Sequence, residues 1–238
     1  YNIQSIAIPP LGCGLGGLEW LKVMSMIEAS LKDLPIEIVI FEPKGAPPVK
    51  EQSTQGGKKP PMTIGRALLV ALIDIYKGSG YGHTLLEVQK IMYFIKESGE
   101  EIALKFVKYK YGPYSDDLRY AMQQLDGYYI TGVGDGTQRA EIGLAENALE
   151  AATDYLKDQK DSRKNLERVK QLMSGFETPY GMELLSSVHY AWKYEGAKSL
   201  KEAIEVIRRW NYRKSQLMKD QHIEKAWARL EQEGWLKF

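Results

Sequence analysis

The sequence predicts an α+β chain: a truncated βαβ remnant, a linker, then a mainly helical domain with a small hairpin. Three observations carry this. Two almost wholly apolar runs, SIAIP at 5–9 and IEIVIF at 36–41, bracket a stretch of helical periodicity, the pattern of parallel strands joined by a helix. The run PKGAPPVKEQSTQGGKKPP at 43–61 is rich in proline, glycine and charge and has no period, as a spacer is. Beyond it, apolar residues recur at three- and four-residue spacing through most of the chain, which marks helices. The domain reading is 1–43 for the first piece, 44–61 for the linker and 62–238 for the helical domain.

Composition narrows the function. The 238 residues are enough for two modest domains. With 32 basic and 31 acidic residues the net charge is +1, which gives no compositional case for a nucleic-acid coat or a membrane-surface protein. Cys13 has no second cysteine to pair with, and His83, His189 and His222 are far apart with no HExxH. That predicts no disulfide framework, no metal site and no cofactor. No run reaches the roughly 18 apolar residues of a membrane helix, and no basic-then-apolar leader opens the chain. A cytoplasmic protein with no membrane partner is expected. The chain begins at Tyr1, inside a strand-like run and without methionine. It reads as the C-terminal portion of a longer protein, with the missing strands of the sheet lying upstream or this piece packing on a partner.

In chain order, the 5–9 strand ends at Pro9-Pro10 and is followed by LGCGLGGL at 11–18. A glycine loop between a strand and a helix aims backbone N–H groups at the helix start, where an anion is held. Gly12, Gly14, Gly16 and Gly17 allow close approach of a pyrophosphate. The spacing is neither GxGxxG in a βαβ start nor a Walker loop. Two readings stay open: a phosphate loop, or a tight turn packed by small residues. Cys13 reads as small buried filler, not a nucleophile. A helix spans 19–32 with Trp20, Met24, Ile27 and Leu31 on one face, and Leu34-Pro35 closes it.

IPPLGCGLGGLEW, a helix, then IEIVIFEP together resemble the last third of a macrodomain, most closely the ADP-ribosyl-hydrolase macrodomains of DarG antitoxins. The resemblance covers about 5–43. It implies that Gly12, Cys13, Gly14, Leu15, Gly16, Gly17 and Leu18 wrap the diphosphate and distal ribose of ADP-ribose. That family's adenine-contacting acid and catalytic loop lie upstream of the stretch matched here, so no catalytic residue is assigned.

In the helical domain, Thr63 caps a helix carrying Ile64, Leu68, Leu69, Leu72, Ile75 and Tyr76. Thr84 and Glu87 form a capping box for a helix with Leu85, Val88, Ile91, Met92 and Ile95 inside. Ile102, Leu104 and Phe106 alternate as in a strand. Lys105, Lys108 and Lys110 interleave with Phe106, Tyr109 and Tyr111. This reads as a half-exposed extended segment, with a nucleic-acid stripe as the rival. Gly112-Pro113 makes a turn, Ser115 caps the next helix, and Asp116 and Asp117 occupy its first turn. The runs 128–131 and 139–144 flank GVGDGTQ as a hairpin, a winged-helix-like arrangement. Helices follow at 145–156, 161–172 and 182–193, with a turn at Thr178-Pro179 between the last two. A capping box at Ser199 and Glu202 precedes 204–210. A final helix carries Ile223, Ala226, Trp227 and Leu230, with Gly234 ending it and Trp235 and Leu236 folding back.

LLEVQKIMYFIKESGE and KYGPYSDDLRYAMQQLDGYYITG resemble the Panacea-type (DUF4065-like) antitoxin domain, with Tyr111, Gly112, Pro113, Tyr114 and Ser115 the best match. The order macrodomain, linker, helical domain is that of the DarG family. The resemblance implies an antitoxin that binds and neutralises a DarT-like toxin, an ADP-ribosyltransferase of single-stranded DNA. Its toxin-binding residues would include Tyr109, Tyr111, Tyr114, Asp116, Asp117 and Tyr120, with Glu97, Glu100, Glu101 and Asp135 as further acids. The alternatives are DNA ADP-ribosyl hydrolysis, acting on ADP-ribosylated single-stranded DNA in the full-length parent only, and direct DNA binding of winged-helix type. The balanced charge predicts weak binding to duplex DNA.

Overall fold

The computed structural model describes residues 3–13, 18–42, 58–77, 84–133 and 141–237. The chain forms two compact units, Tyr1–Gln52 and Ser53–Phe238.

In the first unit, β1 (Ser5–Ile8), α1 (Trp20–Leu31) and β2 (Glu37–Ile40) make the expected βαβ. The strands pair in parallel with Ser5 opposite Glu37 and Ile8 opposite Ile40. Parallel sheets are ordinarily covered on both faces. Here Ile8 and Ile27 are buried, while Ile6, Val39, Phe41, Leu21 and Met26 are exposed. Burial within this unit therefore does not account for how apolar its strands are.

The second unit runs α2 (Ile64–Lys77), α3 (Leu85–Glu97), β3 (Val107–Tyr109), β4 (Gly112–Tyr114), α4 (Asp116–Leu125), β5 (Ile130–Thr131), β6 (Gly143–Leu144), α5 (Ala148–Leu156), α6 (Lys160–Met173), α7 (Pro179–Tyr194), α8 (Leu200–Trp210), α9 (Tyr212–Leu217) and α10 (Asp220–Gln232). Its two central helices are α3, buried at every position from Leu85 to Ile95 except Leu86, and α7, buried from Gly181 to Ala191. A helix buried nearly all round is a core helix. Around them α2 packs on α5 and α6, and α7 packs on α3, α8 and α10.

The caps follow the sequence closely. Glu87 Oε2 accepts from the Thr84 amide at 2.7 Å and from its hydroxyl at 2.8 Å. Ser115 Oγ accepts from the Leu118 amide. Ser199 Oγ accepts from the Glu202 amide, but the Glu202 carboxylate turns to the Lys198 amide at 2.6 Å, one residue before the box requires. At the C-terminus Gly234 adopts φ +67°, the Trp235 amide donates back to the Leu230 carbonyl, and Trp235 packs edge-on against Phe94 at 5.3 Å. Trp235 and Leu236 are buried, as expected.

Three expectations need correction, and one helix was not expected. Residues 102–106 form no ladder: Ile102 and Leu104 close short bonds to Glu100 and Ile102. Their alternation is real, since Ile102, Leu104 and Phe106 pack on the core, but the strand is 107–109. Gly112 and Pro113 are not the turn; Lys110 and Tyr111 are, and Gly112 and Pro113 lie in β4. Thr178-Pro179 is the start of α7: Thr178 Oγ1 accepts from the Gly181 amide at 2.9 Å and Pro179 takes the first helical position, where its missing N–H costs nothing. Helix α9, capped by Asn211 accepting from the Lys214 amide, had no expectation at all.

The β5–β6 pair matches the expected hairpin in place but is only two residues per strand, Ile130 opposite Leu144; the loop 134–140 lies outside the described residues. Of the linker, 58–61 rest on the helical unit. Tyr129 donates to the Pro60 carbonyl at 2.9 Å, Lys59 sits over the Tyr129 ring, and Arg66 donates to the Pro61 carbonyl. No helix among the described residues is long and apolar enough to cross a membrane.

Candidate functional site

In the first unit the chain leaves β1 through Pro9-Pro10 and closes on itself. The Cys13 amide donates to the Pro10 carbonyl at 3.1 Å, and the Leu18 amide to the Gly12 carbonyl at 3.0 Å. Gly12 suits its φ of +71°; a Cβ there would also lie 2.6 Å from Leu18 Cδ1, the tip of an exposed side chain that can give way. Cys13 is half-buried and its thiol donates to the Leu11 carbonyl. Gly14, Leu15, Gly16 and Gly17 lie outside the described residues. Just beyond the loop, α1 begins with no side-chain cap and no acid in its first turn. Glu19, which precedes the helix, is held by Lys22 at 2.8 Å. Among the described residues the first amides of α1 thus have no side-chain acceptor, and the helix start favours negative charge.

In the second unit the β3–β4 hairpin and the Ser115 that follows it are held by side-chain donors from α3, from the end of α8 and from the α8–α9 junction. Val107 faces Tyr114 and Tyr109 faces Gly112 across the ladder. From α3, the Gln89 amide accepts from the Ser115 N–H and donates to its carbonyl, both at 2.8 Å, so a side chain takes the place of a neighbouring strand. Lys90 Nζ donates to the Pro113 carbonyl at 2.6 Å. From the end of α8, Trp210 Nε1 donates to the Tyr109 carbonyl at 2.9 Å, and Asn211, which leads into α9, donates to the Lys110 carbonyl at 3.0 Å. Gly112, at φ +98°, lies so near α7 that a Cβ would meet Ser187 Oγ at 2.9 Å.

Beneath the hairpin is a buried ionic cluster that the sequence analysis missed. The Glu183 carboxylate accepts from Lys214 Nζ at 2.6 Å and Arg213 Nη1 at 2.7 Å, and Lys214 also donates to Ser187 Oγ at 2.9 Å. Burial lowers Lys90 to about 7; the charge of Lys214 adds to this and Glu183 opposes it. Burial likewise lowers Lys214 to about 8, against the pull of Glu183. Nearby, the Tyr93 hydroxyl meets His189 Nδ1 at 2.8 Å. His189 is held down to about 3, mainly by burial and then by the charge of Lys193.

The hairpin and the first turns of α4 bring the expected surface residues together. Tyr109 and Tyr120 are exposed and Tyr111 and Tyr114 half-buried, with the Tyr109 and Tyr114 rings 5.1 Å apart. Asp116 is exposed and pairs with Arg119 at 3.5 Å. Asp117 is exposed as well, but its carboxylate accepts from the Lys105 amide and so fixes the extended segment. Two other acids do not form a free surface: Glu97 is held by Lys193 and Tyr194, and Glu100 accepts from Ser162 and Asn165 of α6. Glu101 is exposed, and Asp135 lies outside the described residues. Among the described residues no group of three or more His, Cys, Asp and Glu is placed to hold a metal ion.

No family model matches the chain. A DNA ADP-ribosyl glycohydrolase of Thermus aquaticus is 37% identical to it over 238 residues, covering 99% of this chain and 65% of the relative. DNA ADP-ribosyl glycohydrolases of Mycobacterium tuberculosis and Mycobacterium bovis are each 36% identical over 248 aligned positions, covering 96% of this chain and 69% of the relative. The chain thus spans 65% to 69% of the length of these relatives.

Proposed function

From the chain's membership of the DNA ADP-ribosyl glycohydrolase family, we propose that the whole protein removes ADP-ribose from DNA and that residues Leu11–Leu18 of the first unit hold the ligand's diphosphate. The closed turn at Gly12 and Leu18, set directly before the uncapped start of α1, carries this reading. A diphosphate there meets backbone N–H groups and the positive end of a helix, and Gly12 keeps the backbone open to it. Catalysis needs a group that positions and activates the bond to be cut; among the described residues of the first unit none takes that role. The test is release of ADP-ribose from ADP-ribosylated single-stranded DNA, followed by chromatography, with protein matching the relatives along their full length. Release is expected, and Gly12→Val is expected to reduce it at least tenfold. Release at the unaltered rate by that variant would remove the turn from the reading.

A second reading assigns the helical unit to protein recognition: neutralisation of a DarT-like toxin, as an antitoxin does. The observation favouring it is the hairpin, where exposed Tyr109 and the nearby Tyr120 and Asp116 are held on a frame pinned from α3, α8 and the α8–α9 junction. Rigid aromatic anchors lose little freedom on binding, and an exposed acid complements a basic DNA-gripping groove.

A further inference from the structure

We propose that the face running from Tyr120 across the β3–β4 hairpin to Tyr212 binds single-stranded DNA. Rings and cations alternate along it. The Arg119 guanidinium lies 4.1 Å from the Tyr120 ring centre, and the Tyr114 ring lies tilted 34° against Tyr109, with centroids 5.1 Å apart. Lys108 sits 4.7 Å over the Trp210 ring, and Trp210 in turn binds the Tyr109 carbonyl. The Tyr111 ring is flanked by Lys110 at 5.2 Å and Arg213 at 4.7 Å. Tyr212, between Asn211 and Arg213, is 82% exposed, Tyr109 is 54% and Tyr120 is 55%.

These features favour one ligand class. Tyr109, Tyr120 and Tyr212 expose their rings to solvent, and bases stack on rings whatever their sequence. Lys110, which has no acidic partner among the described residues, is placed to meet a phosphate. Three of the four cations already have acidic partners: Lys108 pairs with Glu195, Arg119 with Asp116 and Arg213 with Glu183. The electrostatic share is therefore modest, and stacking carries most of the recognition. Stacking requires unpaired bases, which excludes the duplex. The frame is rigid, since the hairpin is tied by Gln89, Lys90, Trp210 and Asn211, so the rings lose little freedom on binding.

The proposal deepens the glycohydrolase reading by giving its substrate strand a holding surface, and rests on that reading only for the choice of DNA. The test is fluorescence anisotropy of the whole chain with a labelled, unmodified oligothymidylate of about 12 nucleotides, beside a duplex of equal length. Single-stranded DNA should bind at least roughly tenfold more tightly than duplex, and Tyr212→Ala or Tyr109→Ala/Tyr120→Ala should each weaken it roughly fivefold or more. Lys110→Glu should also weaken it and lower the salt slope by about 0.7. Thermal melts establish that each variant is folded; Tyr212 is too exposed for its loss to unfold the unit. Equal affinity for duplex, or folded variants that bind as well as the parent, would overturn the proposal. So would strip variants that lose a DarT-like toxin but keep DNA, because the face would then belong to a protein partner. Unmodified DNA has no ADP-ribose to release, so binding and glycohydrolase activity fail independently. Gly12→Val should keep DNA binding while losing release.

Discussion

Lys90 Nζ donates to the Pro113 carbonyl from a position that is 1% exposed, joining the middle of the central helix α3 to the hairpin that carries the candidate binding face. No carboxylate is within hydrogen-bonding distance of this amine among the described residues; Glu183 is taken by Lys214 and Arg213. The charged form is therefore disfavoured, and burial brings its pKa to about 7.

The first prediction is that stability rises with pH above 7. An unfolded lysine titrates near 10.5 and the folded one at about 7, so between those values the unfolded chain binds the extra proton. Unfolding free energy then rises with pH, by at most about 1.4 kcal/mol per unit from this group. Lys214, lowered to about 8, adds to the slope only above that pH. Urea unfolding at pH 7 and 8 should show Lys90→Met flatter than the parent by about 1 kcal/mol over that unit. Parallel pH profiles would refute the assignment.

His189 gives the second prediction, on the acid side. Its pKa is lowered from 6.5 to about 3, and it bonds both the Tyr93 hydroxyl and the Trp235 backbone. Donation to the Trp235 carbonyl leaves Nδ1 to accept from Tyr93. Below pH 6.5 the unfolded chain takes up a proton that the folded chain refuses, so stability falls as pH drops through that window, by up to about 1.4 kcal/mol per unit. His189→Gln should flatten the profile between pH 6.5 and 5, above the range of most carboxylates. An unchanged slope there counts against a neutral buried His189.

Much of this fold was legible because it is local. The caps at Thr84, Ser115 and Ser199, the stop at Gly234 and the apolar face of α2 are each set by a few neighbouring residues. The ionic cluster was not, because Glu183 meets Lys214 across 31 positions and each looks in sequence like one more charged helix residue. Thr178-Pro179 was misread because Pro suits a turn and a helix start equally well. The strand was set too early because Ile102, Leu104 and Phe106 alternate by packing on the core, without a ladder. Of the candidate face, Tyr109 to Tyr120 lie in one motif, whereas Trp210, Tyr212 and Arg213 reach it only through the tertiary fold.

The third prediction concerns that cluster. Glu183→Gln leaves Lys214 and Arg213 without their carboxylate in a buried site, which should cost about 3 kcal/mol. Glu183→Leu combined with Lys214→Met removes charges of both signs and should recover much of that loss. The measurement is a double-mutant cycle by urea unfolding. Additive losses in the double variant would show that the two residues are not coupled.

The last prediction separates recognition from support at the start of α4. Asp116 and Asp117 are neighbours with different duties. Asp116 is exposed and pairs with Arg119, three residues on, at 3.5 Å; such a surface pair adds little to stability. Asp117 accepts from the Lys105 amide at 3.2 Å and so anchors residues 102–106, which have no ladder to hold them. Asp117→Asn should weaken that charged acceptor and lower the unfolding free energy by about 1 kcal/mol. Asp116→Lys should leave the melt nearly unchanged. If the face meets a DarT-like toxin through its basic groove, that same variant should reduce toxin affinity at least tenfold, because it sets like charge against like. Titration calorimetry beside a thermal melt reads both effects. Toxin affinity that survives Asp116→Lys while single-stranded DNA binding rises would assign the face to the strand, since the added cation favours phosphate and repels a basic protein alike.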